Sequence, residues 1–171
     1  MAISISLALI ISTFLSFFKM PNGGSINFGL LPLLIFSLRR GVWIGCFSGL
    51  LFSFLKILTS LNVPPTFDVF KLFLSIFFDY VLGYSCIGMV ALFLKKISKR
   101  NIEIIFGNIL ISSIRFILFF LSGIFVWSSF LPQNISYLKF SFLYNLVFII
   151  PEFFINTIFC IIIKVPTNVK K

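Results

Sequence analysis

Charged residues are nearly absent from six long stretches of this chain, and no other feature limits its fold so tightly. The stretches run from about Ala2 to Phe18, Asn27 to Leu38, Val42 to Thr59, Phe67 to Leu94, Ile102 to Leu131 and Tyr137 to Ile163. Polar or helix-breaking residues divide them: Lys19-Met-Pro-Asn-Gly-Gly, Arg39-Arg40-Gly41, Asn62-Val-Pro-Pro, Lys95-Lys96 with Lys99-Arg100, and Pro132-Gln-Asn. A hydrocarbon core about 30 Å thick takes roughly 20 apolar residues per helix. With 60% hydrophobic and 11% charged residues among 171, the chain lacks the polar groups that coat a soluble domain. The expected fold class is therefore an all-α integral membrane protein, a single bundle of six transmembrane helices forming one domain over residues 1–171. The second stretch has twelve residues, too few to cross unaided, and reads as a tilted or half-depth helix breaking at Gly41. A signal peptide competes for the first stretch, but neither a basic leader nor a small-residue cleavage site accompanies it.

The net charge of +10 has a topological origin in this reading. If six helices alternate, Arg39, Arg40, Lys95, Lys96, Lys99, Arg100, Lys164, Lys170 and Lys171 fall on one side, against Lys19, Lys71 and Lys139 on the other, nine to three. Basic loops stay cytoplasmic, so both termini are expected there, in a multi-pass protein of the cell membrane. A nucleic-acid partner would need a basic face on a soluble domain, and no such domain remains. Histidine is missing, which removes the commonest general base and most catalytic zinc sites. Cys46, Cys86 and Cys160 are scattered through apolar segments without a CxxC. No Gly-Lys dipeptide exists to build a nucleotide-binding loop. Neither an enzyme nor a metal or cofactor site is expected.

Beyond their opening turns, the apolar stretches hold four charged side chains: Lys56, Asp79, Arg115 and Glu152. A charge at the bilayer centre costs about 2.5–3.5 kcal/mol on insertion scales and usually faces an internal cavity or partner. Lys56 is near a helix end, where snorkelling to headgroups is sufficient explanation. Ser75, Asp79 and Gly83 recur at intervals of four and share a helix face, with Tyr80 alongside. Asp79 reads either as a structural partner of an arginine or as a carboxylate reserved for a cationic ligand. Ser141, Asn145, Glu152 and Asn156, spaced 4, 7 and 4, line one face of the last helix as a cavity wall or an interhelical seam. Pro151 interrupts the backbone ladder just before Glu152. Trp127 suits an interfacial anchor or an aromatic surface for a flat cation. If Arg115 pairs once, one of the two acids is left over, and a cationic ligand would balance it. Ser4, Ala8, Ser12 and Ser16 form a stripe of small residues that suits close packing inside the bundle or docking of another membrane protein.

Several stretches, in order, resemble the thiamine-specific S-components of energy-coupling factor transporters, the ThiT/YuaJ family. They are Met20-Pro-Asn-Gly-Gly-Ser, Leu31-Pro-Leu-Leu-Ile-Phe-Ser-Leu-Arg-Arg-Gly41, the Gly-Leu-Leu-Phe run from Gly49, Asp79-Tyr80, Leu121-Ser-Gly-Ile-Phe leading to Trp127, Tyr144-Asn145 and Pro151-Glu152. The resemblance implies a six-helix thiamine-binding subunit, a loop over the pocket between the first two helices, and partners: a transmembrane coupling protein and two cytoplasmic ATPases. It places Asp79 at the aminopyrimidine, Tyr80 and Trp127 on either side of the ligand rings, Asn145 in the pocket and Arg115 where a basic residue is usual. Phe119 and Phe140 stand where relatives carry His and Tyr, so the pocket lacks a ring N–H and a hydroxyl. Glu152 completes the expected substrate-binding set, and the stripe of Ser4, Ala8 and Ser12 resembles the docking surface for the coupling protein. Three alternatives remain open at this level: an S-component for another vitamin, a proton-coupled secondary transporter relaying through Asp79 or Glu152, and a ligand-free assembly protein.

Overall fold

The structure, a computed structural model, describes residues 1–14, 26–62, 64, 68–93, 99–130 and 136–164. Among the described residues it is all-helical, with helices α1 (Ala2–Phe14), α2 (Leu30–Arg40), α3 (Val42–Ser60), α4 (Val69–Phe93), α5 (Arg100–Phe125) and α6 (Tyr137–Ile162). The last four are long and apolar enough to cross a membrane. Asn27 delays the start of α2: its side-chain oxygen accepts the Gly29 N–H at 2.9 Å, forming a turn before Leu30. Arg39 and Arg40, expected to follow α2, form its last turn instead.

A single residue, Gly41, joins α2 to α3. Its φ of 91° lies in the left-handed region, where a side chain is strained. Its N–H reaches back to the Ser37 carbonyl at 2.8 Å while its own carbonyl accepts the Gly45 N–H at 3.0 Å. The chain therefore reverses without an intervening loop.

Helix α4 is not uniform. It opens as an α-helix capped by Asp68, whose carboxylate accepts the Phe70 N–H at 3.0 Å. A π-helical stretch follows at Ile76–Leu82, then a short α-turn, and the last part, Cys86–Phe93, is a 3-10 helix. This last part is the hub of the bundle, packed against α2, α3 and α5, with Ile87 and Val90 fully buried. Contact with α3 is close because glycines face each other there: a Cβ on Gly45 would lie 2.8 Å from the Gly88 Cα. Helix α5 pairs along its length with α6, and α2 also touches α6.

The fifth apolar stretch was expected to stay helical to Leu131, but α5 stops at Phe125. Val126 caps it, and a 3-10 turn, Trp127–Phe130, takes over. The Ser128 hydroxyl donates to the Ile124 carbonyl at 2.5 Å, occupying the acceptor that a further α-turn would use.

The stripe on α1 requires a correction. Ala8 is fully buried and Ser12 is 2% exposed, with Ser4 partly covered. A Cβ on Gly29 would strike the Ala8 carbonyl and the Ser12 Cβ. The small residues thus allow α1 to lie against the start of α2, and the expected docking face is an internal packing face. The outward face of α1 carries Ile3, Leu7, Ile10 and Phe14. Ser16, the fourth member, lies outside the described residues. Lys56 also differs from expectation: its ammonium donates to the Ser12 hydroxyl at 2.9 Å, joining α3 to α1.

Exposed Arg39, Arg40, Lys99 and Lys164 mark the ends of α2 and α6 and the start of α5. Gly88 packs on Val42 and Cys46, which brings the end of α4 to the same level. One end of the bundle is therefore basic. Lys19, Lys95, Lys96, Lys170 and Lys171 lie outside the described residues, while Lys71 and Lys139 sit in the first turns of α4 and α6, at the other end.

Candidate functional site

Asp79 lies in the π-helical stretch of α4 and faces α5. Its Oδ2 accepts hydrogen bonds from the Ser122 hydroxyl at 2.8 Å and the Ser75 hydroxyl at 3.1 Å. The Trp127 side chain, brought round by the 3-10 turn after α5, is a third hydrogen-bond donor to the carboxylate. All three donors are neutral. They orient the carboxylate without cancelling its charge, and Asp79 stays partly exposed while Ser75 and Ser122 are buried. The stripe of Ser75, Asp79 and Gly83 thus turns inward as one unit. Gly83 leaves room for the Phe119 ring, which a Cβ there would touch at 2.8 Å.

Arg115 is not the partner of Asp79. Its Nη1 lies 2.8 Å from Glu152 Oε2, across the α5–α6 contact, with the two side chains 6% and 4% exposed. The guanidinium also sits 5.2 Å from the centre of the Phe119 ring, a cation–π contact. Phe119 packs on Phe148 at 5.9 Å, Phe148 meets Tyr144 edge-on at 5.9 Å, and Tyr144 stacks on Phe140 at 5.6 Å. Phe119 and Phe140 are therefore the ends of one aromatic row that runs along α6 from the ion pair toward the helix start. Among the described residues, Glu152 Oε1 and Arg115 Nε are buried with no hydrogen-bond partner. The ion pair is a single-point contact.

Asn145 is buried on the inner face of α6, where its amide donates to the Ser141 carbonyl at 2.8 Å. Ser141 in turn donates to the Phe120 carbonyl of α5 at 3.2 Å. This part of the polar face is an interhelical seam. Tyr80 goes elsewhere. The Tyr80 hydroxyl is held at the end of α3, accepting the Asn62 N–H at 2.6 Å and approaching the Asn62 carbonyl at 3.2 Å.

Two participants were missed in the sequence. Ser122 is seven residues from Arg115, so the two share a face of α5, and that spacing could have revealed it. Tyr84 is buried against Phe52 at 5.0 Å, and its hydroxyl accepts from Asn27 at 3.4 Å, fastening the start of α2 to the core. No sequence signal separated this tyrosine from an ordinary core aromatic.

Polar and charged side chains gathered inside a bundle of membrane-spanning helices mark a functional interior, and the similarities of this chain make the class a multi-pass membrane transporter rather than an enzyme. The model of the thiamine transporter protein family (Thia_YuaJ) matches residues 1–170, and the chain belongs to that family. It is 26% identical over 151 residues to the thiamine transporter ThiT of Bacillus subtilis (strain 168), covering 83% of this chain and 76% of that protein. Its fold is that of the solved ThiT from Listeria monocytogenes, with a TM-score of 0.75 over 94% of this chain and 88% of the other, at 21% identity.

Proposed function

We propose that this chain is the thiamine-binding membrane subunit of an ATP-driven importer. The observation that carries the reading is the division of charge inside the bundle: Glu152 takes Arg115, while hydroxyls and an indole hold Asp79. A carboxylate oriented by neutral donors, away from the arginine, keeps its attraction for a cation. Thiamine carries a permanent positive charge on its thiazolium ring and presents an aminopyrimidine to hydrogen-bond acceptors. In the proposed mechanism the vitamin enters from the end opposite the basic cluster, and its aminopyrimidine donates to Asp79. Trp127 packs on the ring system, and the aromatic row from Phe140 to Phe119 walls the pocket. Tyr80 holds the α3 end in place beside the entrance, and the Asn145 seam fixes the spacing of α5 and α6. The loop over residues 21–27, expected to cover the ligand, lies mainly outside the described residues.

Energy comes from other subunits in this proposal. The sequence has no nucleotide-binding loop, so a coupling membrane protein and two cytoplasmic ATPases complete the transporter. The single-domain, six-span organisation and the cytoplasmic position of both termini belong to the same reading. Calorimetric titration of the detergent-purified chain with thiamine tests it. Asp79→Asn keeps an oxygen for the serines but loses the charge, and a charge-assisted hydrogen bond is worth about 1.5–3 kcal/mol. The variant is expected to bind at least tenfold more weakly. Unchanged affinity overturns the assignment of Asp79. Uptake driven by a pH gradient in liposomes holding this chain alone overturns the dependence on ATPases.

A further inference from the structure

We propose that Glu152 sets ligand selectivity without touching the ligand: by neutralising Arg115 it keeps the pocket selective for a cation over phosphate-bearing forms of the same molecule. The inference rests on the proposed thiamine site and adds a positioning residue to it. Three features of the geometry lead there. Arg115 and Glu152 are 5% and 3% exposed and meet at 2.8 Å, so neither charge is screened by solvent. Among the described residues, Arg115 Nε and Glu152 Oε1 have no hydrogen-bond partner, so the balance of charge rests on the one contact. Finally, the pair is coupled in space to Asp79. Ser122, which donates to Asp79, is seven residues from Arg115 on the same face of α5, two turns or about 10 Å of rise. Phe119 lies between them, 5.2 Å under the guanidinium and against Gly83, one turn from Asp79.

A unit charge about 10 Å away, at an effective dielectric near 20, alters the affinity for another charge on the order of tenfold. With Glu152 in place the positive charge of Arg115 is spent within the pair, and Asp79 dominates the pocket. Without the Glu152 charge, Arg115 repels a cationic ligand and attracts a phosphate. Glu152 is therefore a positioning residue for charge. Its effect differs in sign for ligands of opposite charge, which a purely structural role cannot imitate.

The experiment is calorimetric titration of the full chain in detergent with thiamine and with thiamine monophosphate. The wild-type protein is expected to favour thiamine. Glu152→Gln is expected to shift the ratio of the two affinities by about tenfold toward the monophosphate, with Glu152→Asp retaining the wild-type ratio. The double variant R115M/E152Q, which removes both charges, is expected to return the ratio to the wild-type value. Arg115→Met alone, leaving the carboxylate uncompensated, is expected to move it the other way, and this arm serves if Glu152→Gln does not fold. Equal weakening of both ligands in Glu152→Gln, or a double variant that keeps the shifted ratio, overturns the role of Glu152 and leaves the thiamine site standing. Failure of the wild-type protein to bind thiamine overturns both.

Discussion

At the scale of single residues, the interior of this bundle separates two carboxylates by the company they keep. Asp79 has hydroxyl partners and Glu152 has a guanidinium. The two environments predict different responses to mutation. Removing one member of a buried ion pair leaves the other charge uncompensated and costs about 3–5 kcal/mol, whereas removing both is often close to neutral. Glu152→Gln is therefore expected to lower stability strongly, and R115M/E152Q to recover most of the loss, as measured by unfolding in mixed micelles. A double variant no more stable than the single one would show that the contact contributes through packing rather than charge. Asp79, Arg115 and Glu152 were legible in the sequence because a charge in hydrocarbon is costly wherever it points. Which acid takes the arginine was not legible, since that depends on the rotation of α4, α5 and α6 about their axes. Tyr80 illustrates the same limit: its place beside Asp79 in the chain did not reveal that its hydroxyl belongs to the end of α3.

At the scale of helices, sequence and structure agree best where a segment ends at an unmistakable breaker. The expected third and sixth stretches, 42–59 and 137–163, differ by one residue at one end from α3 and α6. They diverge where a side chain redirects the backbone, as Asn27 does before α2 and Ser128 does after α5. The early end of α5 matters for the site, because the 3-10 turn brings Trp127 to Asp79. The α1 stripe was visible as a pattern, but its direction was not, since a small-residue face suits an internal or an external neighbour equally well. Its inward direction yields a prediction. Ala8 is fully buried against Gly29, so Ala8→Leu is expected to overpack the α1–α2 contact at a cost of about 1–3 kcal/mol. Leu7→Ala, on the outward face at 47% exposure, is expected to change the thermal midpoint much less. The reverse order would mean that α1 presents its small residues to an outside partner after all.

At the scale of the whole molecule, charge and site lie toward opposite ends. The basic end gathers Arg39, Arg40, Lys99 and Lys164, while Asp79 lies ten residues into α4 from the other end. Basic residues hold their end in the cytoplasm, so the Asp79 site is expected to open outward. In a variant lacking Cys46, Cys86 and Cys160, a cysteine at Lys139 is expected to react with a membrane-impermeant thiol reagent on intact cells, and one at Lys99 only after permeabilisation. The opposite pattern would turn the entrance toward the cytoplasm and remove its role in uptake. The general class, a helical bundle in a membrane, followed from composition alone. The separation of basic residues was also legible from their spacing, whereas the place of Asp79 near the other end depended on how Ser122 and Trp127 fold back onto it.

The joint at Gly41 bears on how the protein is made. With 11 residues, α2 spans only about 16 Å, half the thickness of the hydrocarbon layer, and ends in two arginines. Such a segment has little reason to leave the insertion machinery by itself during translation. Tethered by one residue to its longer successor, it is expected to enter the lipid together with α3 as one arm of a hairpin.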